Sequence, residues 1–401
     1  MSGMDKNCDI LISGGGVAGL TAAITLGTAG FEVICADPAP PITDASTEGA
    51  DLRTTAFLQP ARALLQDCRL WPQLAPHAMP LEIMRIVDAS GTDGAPRVVR
   101  DFRAADLSDQ PFGWNLPNWL LRREMLARIN ELDNVTFVSG IGTRGLLTRD
   151  AEARVTLTDG TRVTTRLVLA ADGRNSPMRD AAGIGVKTTR YGQKALAFAV
   201  THSEPHGNIS TEIHRSGGPF TLVPLPDLDG QPCSAIVWME SGPEVKRLAA
   251  LSVPAFEAEM TNRSAHLFGP LTLATRRTVW PIISQVADRL SGQRIALLAE
   301  AAHVMPPIGA QGLNMSLADL RALRDLATAR PEGLGDAAML EAYHSARIND
   351  MRTRVAGINL LNRASRAGAT PLQSLRATGI GALYALPPVR QMLMRMGLGA
   401  T

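Results

Sequence analysis

Apolar runs and turn signals alternate with regular spacing along the first forty residues. Residues 8–13 (CDILIS) are a short apolar run, the pattern of a strand buried on both faces. GGGVAG follows at 14–19, and the small-residue run LTAAITLGTAG then predicts a helix lying close against a sheet. FEVICAD at 31–37 is a second buried strand. Strand, turn, helix and strand thus fit into about thirty residues, the size of a βαβ unit.

Further along, 38–51 is loop-like, 52–57 leads into a helix near 59–67, and 81–103 predicts strands around a Gly/Pro turn. Residues 119–132 (WLLRREMLARINEL) have helical spacing and 134–140 (NVTFVSG) strand character. VTLTDGTRVTTRLVLAADG predicts a hairpin turning at Asp159-Gly160. Residues 194–240 alternate with many turn signals, which predicts several antiparallel strands in a separate sheet. Helical patterns cover 243–264, a strand 278–283, and from Met315 the chain is mostly helical.

The fold expected is α/β: a Rossmann-like cofactor domain, an inserted antiparallel β-sheet substrate domain and a helical C-terminus. The boundaries expected are 1–80, 104–185 and 276–330 for the cofactor domain, 81–103 and 186–275 for the substrate layer, and 331–401 for C-terminal helices.

Composition narrows the class. Apolar residues make up 45% and charged residues 19% of 401, ordinary for a soluble globular chain. A net charge of +2 gives no reason to expect nucleic acid as a partner. Four scattered cysteines without a CxxC fit a reducing cytoplasm, and no apolar window is long enough for a membrane span. His202, His206 and His214 lack the Cys or carboxylate company of a metal site, so no metal is expected.

Three motifs carry chemistry. Gly14-x-Gly16-x-x-Gly19 follows a strand and opens a helix, as a dinucleotide fingerprint must. Its first glycine makes the turn, its second admits a pyrophosphate, and its third lets helix and sheet pack. The phosphates then meet the first helical amides, those of Val17 and Ala18. Asp37 stands at the spacing of a ribose acceptor. LVLAADGRNSPMR at 167–179 ends a second strand in Asp172-Gly173, with Ser176 and Pro177 placed to start a helix. RIALLAEAAHVMPPIGAQGLN at 294–314 ends a third strand in Glu300 and predicts a helix start near 311–314. His303 within it reads as structural.

Together these motifs resemble the flavoprotein aromatic hydroxylases, FAD-dependent class A monooxygenases. The likeness spans nearly the whole chain and is strongest to the ubiquinone-biosynthesis hydroxylases. It rests also on DLRTTA (51–56), PFGWNLPNWLLRREML (111–126), PPIGAQGLN and Tyr343-x-x-x-Arg347-x-x-Asp350. The resemblance implies that Gly14, Gly16 and Gly19 hold the pyrophosphate and Asp37 the ribose. Arg53 and Arg123 would flank the cofactor, and Asp172 and Gly173 would approach it mid-chain. Glu300, Pro307, Gly312, Leu313 and Asn314 would meet the ribityl chain and flavin ring. Two departures stand out: Ala299-Glu300 replaces Gly-Asp, and Ala310-Gln311-Gly312 replaces Gly-x-Gly.

The activity implied is hydroxylation of a phenolic ring with O₂ through a flavin C4a-hydroperoxide, on a lipophilic, polyprenylated substrate. FAD is the cofactor implied and NAD(P)H a transient reductant, with another electron donor left open. No side chain declares itself as the catalytic base. Phe198, Phe220 and Trp238 are candidates for the substrate pocket, against an alternative place in the sheet core. The basic and apolar residues of 387–397 suggest contact with a membrane surface or a biosynthetic complex, against simple packing on the domain. The location expected is cytoplasmic, with a peripheral option at the inner face of the membrane. A flavin dehydrogenase or reductase on the same fold and a non-catalytic scaffold remain as rivals.

Overall fold

The computed structural model describes residues 5–89, 95–366 and Met394. An eight-stranded sheet carries the N-terminal unit. Its central strands run Ile295–Leu297, Arg162–Ala170, Asp5–Ser13, Val33–Asp37 and Val135–Ser139, all parallel to their neighbours. The strand drawn from 295–298 therefore joins the N-terminal sheet, as its apolar run predicts. Ile10, Leu11 and Ile12 are fully buried because helices cover both faces of such a sheet. The helix Val17–Thr28 is buried along ten successive residues, 18–27, so its small side chains serve close packing instead of amphipathicity. Asp159-Gly160 turns the expected hairpin between Ala153–Leu157 and Arg162–Ala170.

The second sheet has nine strands and is mainly antiparallel. Its longest strand, Val186–His202, starts eight residues before the alternation becomes clear in the sequence. One pair departs from the antiparallel expectation: Ile209–His214 runs parallel to Ile83–Asp88. The strand Thr278–Ala287, which the sequence reading groups with cofactor segment 276–330, hydrogen-bonds to Val186–His202 in this sheet. The helical pattern at 243–264 divides into Gly242–Ala250 and Val253–Arg263, with Pro254 opening the second helix.

Period-two alternation gives the second sheet two different faces. Leu196, Phe198 and Val200 point with Phe220, Ile236 and Trp238 into a cluster built on Phe256 and Val245. Phe198, Phe220 and Trp238 are therefore core of the sheet-helix layer, not pocket lining: Phe198 meets Phe256 edge-on at 5.2 Å. The opposite face carries Ala195, Ala199, Ala235 and Met239. Against that small-residue face pack Met305 and Ile308, from the loop that ends the third motif.

The helices Gln311–Ala329 and Ala337–Ser365 close the structure. The Tyr343-x-x-x-Arg347-x-x-Asp350 pattern ties the second helix to the first and to the main sheet. The Tyr343 hydroxyl donates to the Leu297 carbonyl at 2.8 Å, and Arg347 Nε donates to Asp319 Oδ1 at 2.7 Å. Asp319 Oδ2 meets His303 Nε2 at 2.7 Å in full burial, so His303 is held as a structural group, although its Nδ1 has no partner. Segment 387–397 lies outside the described residues except for Met394, which is buried beside Ala104 and Phe112.

Candidate active site

The strands Asp5–Ser13, Arg162–Ala170 and Ile295–Leu297 lie side by side and parallel, so all three motifs leave the same edge of one sheet. Ligands of open α/β sheets bind at that carboxyl edge.

The first loop is packed tightly where it must be and open where it must be. Gly14 has φ +104°, and a Cβ there would overlap the Ala171 carbonyl. A Cβ on Gly19 would overlap Gly14 O. Gly16, by contrast, is extended at φ −70° and ψ 177°, and nothing lies within 4 Å of a Cβ placed there. The amides of Val17 and Ala18 begin the helix behind that space. Asp37 ends its strand and accepts the Gly15 amide at 2.6 Å and the Ala39 amide at 2.8 Å. A carboxylate has about four acceptor positions, so it keeps capacity for a hydroxyl pair.

A second group sits on the short strand Thr54–Leu58 and the helix Asn118–Ile129. Arg53 pairs with Asp51 through Nε and Nη2 at 2.8 and 2.7 Å and lies 4.0 Å from the Trp280 ring centroid. Asn118, nearly buried, donates to Asp51 at 3.0 Å and accepts from the Thr55 hydroxyl at 2.8 Å. Burial pushes the Asp51 carboxyl up, but the Arg53 guanidinium and Asn118 amide more than offset it and hold it below the usual carboxylate value. Asp51, Arg53, Arg122, Arg276 and Trp280 line a cleft of about 260 Å³. Arg123 does not line it. Its Nε bonds Glu124 at 2.7 Å, with its guanidinium 5.5 Å from the Trp119 ring. Adjacent arginines diverge by about 100° on a helix, so sequence alone does not choose between them. Asn118 was missed as well, because a helix-opening Asn reads as an ordinary start signal.

The mid-chain loop holds Asp172 against Ser13 Oγ at 3.1 Å and Met178 N at 3.2 Å. Its other oxygen, Oδ1, is buried without a partner, and burial raises the carboxyl above its ordinary value. Gly173 has φ +86° and open space where a side chain would begin. Ser176 caps the following helix by accepting Arg179 N at 3.0 Å, as Ser-Pro predicts.

Two of the altered residues of the late loop, Ala299 and Ala310, take a left-handed backbone. Ala299 holds φ +55°, the left-handed conformation that glycine adopts freely. Glu300 is half-exposed and bonds Arg174, Nε to Oε2 at 3.1 Å and Nη2 to Oε1 at 3.4 Å. Arg174 lies between two motif positions and is not singled out by the motif pattern. Pro307 is exposed, Ala310 is the left-handed N-cap of the next helix, and Gly312 faces open space. Leu313 packs from the partly buried margin of the main core. Asn314 turns inward, accepting Leu58 N at 2.8 Å and donating to Ala56 O at 2.7 Å. It thus locks the Arg53-bearing strand to the late loop.

The profile of the FAD binding domain family matches residues 7–356. The chain belongs to that family. Its cofactor is FAD, and the corner fits it: space at Gly16 and Gly312, acceptor capacity at Asp37 and Glu300, and an unpaired buried oxygen on Asp172. The ubiquinone hydroxylase UbiL of Rhodospirillum rubrum is 33% identical, over 98% of this chain and 90% of its own length. The 3-demethoxyubiquinol 3-hydroxylase of Escherichia coli is 26% identical over 98% of both. Among solved structures, p-nitrophenol 4-monooxygenase PnpA from Pseudomonas putida superposes with a TM-score of 0.78, covering 98% of both chains at 16% identity. That likeness concerns the fold alone.

Proposed function

We propose that this chain is an FAD-dependent aromatic-ring hydroxylase of ubiquinone biosynthesis, acting on a polyprenylated phenol. One observation carries the reading. Three loops from three adjacent parallel strands leave one sheet edge, and Met305 and Ile308 of the last loop pack on the Ala195 and Met239 side of the second sheet. The relatives with ubiquinone-pathway names match nearly the whole chain, which supports the substrate class.

Bound FAD, once reduced, supplies the oxygen-activating chemistry that no side-chain constellation in this family has to provide. The chain's own residues bind, orient and shield. In this reading the Val17 and Ala18 amides and the open face at Gly16 receive the pyrophosphate. Asp37 accepts the ribose hydroxyls, and Glu300 accepts from the ribityl chain. Asp51, Asn118 and Asn314 hold the strand Thr54–Leu58 as a rigid wall of the pocket. In this reading the lipophilic ring and its tail lie on the side of the second sheet that carries Ala195 and Met239, which also keeps water from the reacting centre.

NAD(P)H is the reductant in this account, bound transiently, with a protein electron donor as its replacement if the dinucleotide fails. No helix among the described residues is long and apolar enough to cross a membrane. A polyprenyl substrate then requires peripheral contact with a membrane or delivery within a biosynthetic complex. The test is the quinone profile of cells lacking this chain. Accumulation of a prenylated intermediate one oxygen short supports the assignment, and an unchanged profile refutes it.

A further inference from the structure

We infer that Arg174 is a positioning residue for the cofactor: it holds the Glu300 carboxylate at the reach that the ribityl chain requires. The inference rests on the FAD reading above and concerns a residue between the motif positions. Glu300 stands where the family pattern has Asp. Its extra methylene adds a rotatable bond, and with 46% side-chain exposure nothing but a partner fixes its end. Arg174 is that partner. Nε and Nη2 each reach a different carboxylate oxygen, at 3.1 and 3.4 Å, the two-pronged geometry that sets direction as well as distance. Each oxygen spends one acceptor position and keeps another for a cofactor hydroxyl.

Arg174 is itself fixed. Its carbonyl accepts Arg179 Nη1 at 3.0 Å, and the same Nη1 reaches the Ala301 carbonyl at 3.2 Å. Arg179 is buried and capped through Ser176. Two arginines therefore stitch the mid-chain loop to the late loop, one through backbone carbonyls and one through the functional carboxylate. Ala299, next to Glu300, holds its left-handed backbone in the turn that follows the strand. The longer acid and the arginine form one unit.

The test is a double-variant cycle on FAD affinity, read by flavin fluorescence as apoprotein is titrated with FAD. Arg174→Ala and Glu300→Gln are each expected to weaken binding about tenfold, and the double variant no further than either alone, because both remove one interaction. Arg174→Lys keeps the charge and is expected to recover part of the loss. The melting temperature of each apoprotein should move little, since a half-exposed ion pair contributes little to stability. Multiplied losses in the double variant, or an unchanged affinity in Arg174→Ala, overturn the inference while leaving the FAD reading intact. Wild-type protein that takes up no FAD overturns both.

Discussion

Asn314 closes a hydrogen-bonded bridge to Leu58 across 256 residues of chain, accepting its backbone amide at 2.8 Å while donating to Ala56 O. The side chain acts as a strand neighbour for Thr54–Leu58, on the side where no strand pairs. Asn314→Ala leaves a part-buried N–H and carbonyl unpaired and is expected to cost about 1–3 kcal/mol. Asn314→Asp keeps the acceptor and loses the donor, so it should fall between. Urea denaturation of the apoproteins checks the order, and equal stability of all three would contradict the bridge.

Gly16 and Gly19 separate binding from folding. A valine at Gly16 meets no protein atom within 4 Å of its Cβ and has an ordinary extended backbone, so the apoprotein should fold normally and lose FAD. Gly19→Ala drives a methyl into Gly14 O and should unfold or expel the loop. Circular dichroism alongside the flavin absorbance of purified protein distinguishes the two. Full flavin occupancy in Gly16→Val would refute the placement of the pyrophosphate.

Ala299 holds a left-handed backbone at φ +55° that costs an L-residue about 1–2 kcal/mol, while glycine pays an entropic cost of roughly 0.5–1 kcal/mol in return. Ala299→Gly is therefore expected to stabilise the apoprotein by about 0.5–1 kcal/mol. A destabilised variant would show that the Ala299 methyl makes packing contacts worth more than the strain.

Asp172 gives the stability a pH signature. Burial raises its carboxyl in the folded chain, so the folded state binds that proton more tightly than the unfolded state does. This group's contribution is complete below the unfolded value and is lost as pH rises through the folded one. Asp172→Asn removes the slope. Melting temperatures of the two apoproteins from pH 4 to 7 should diverge in favour of the variant as pH rises. A gap that is constant, or that widens in favour of wild type, contradicts the buried, unpaired oxygen.

The cofactor half of this protein is legible in its sequence because its requirements are local. A buried run followed by Gly-rich spacing specifies a strand, a turn and a helix start within a few residues, as at 8–19. Ser176-Pro177 specifies a cap in the same way. What stays hidden is set by distant contacts. Thr278–Ala287 looks like any apolar strand, and only its pairing with Val186–His202 assigns it to the second sheet. Phe198 and Trp238 suggest a pocket by size, yet alternation along the strand turns them toward the helices, while Met305 and Ile308 pack on the opposite face with Ala195 and Met239. Arg122 and Arg123 differ only by a helical rotation. Arg174 meets Glu300 only through the fold, since the two lie 126 residues apart in the chain.

The central claim is that this chain inserts one atom of O₂ into a phenolic ring with FAD as cofactor. Purified FAD-loaded protein, supplied with NADPH or a chemical reductant and a short-chain prenylphenol under ¹⁸O₂, tests it directly by mass spectrometry. A hydroxylated product carrying one ¹⁸O is expected. Oxidation of the reductant with O₂ reduced only to H₂O₂, or a new hydroxyl carrying oxygen from water, contradicts it.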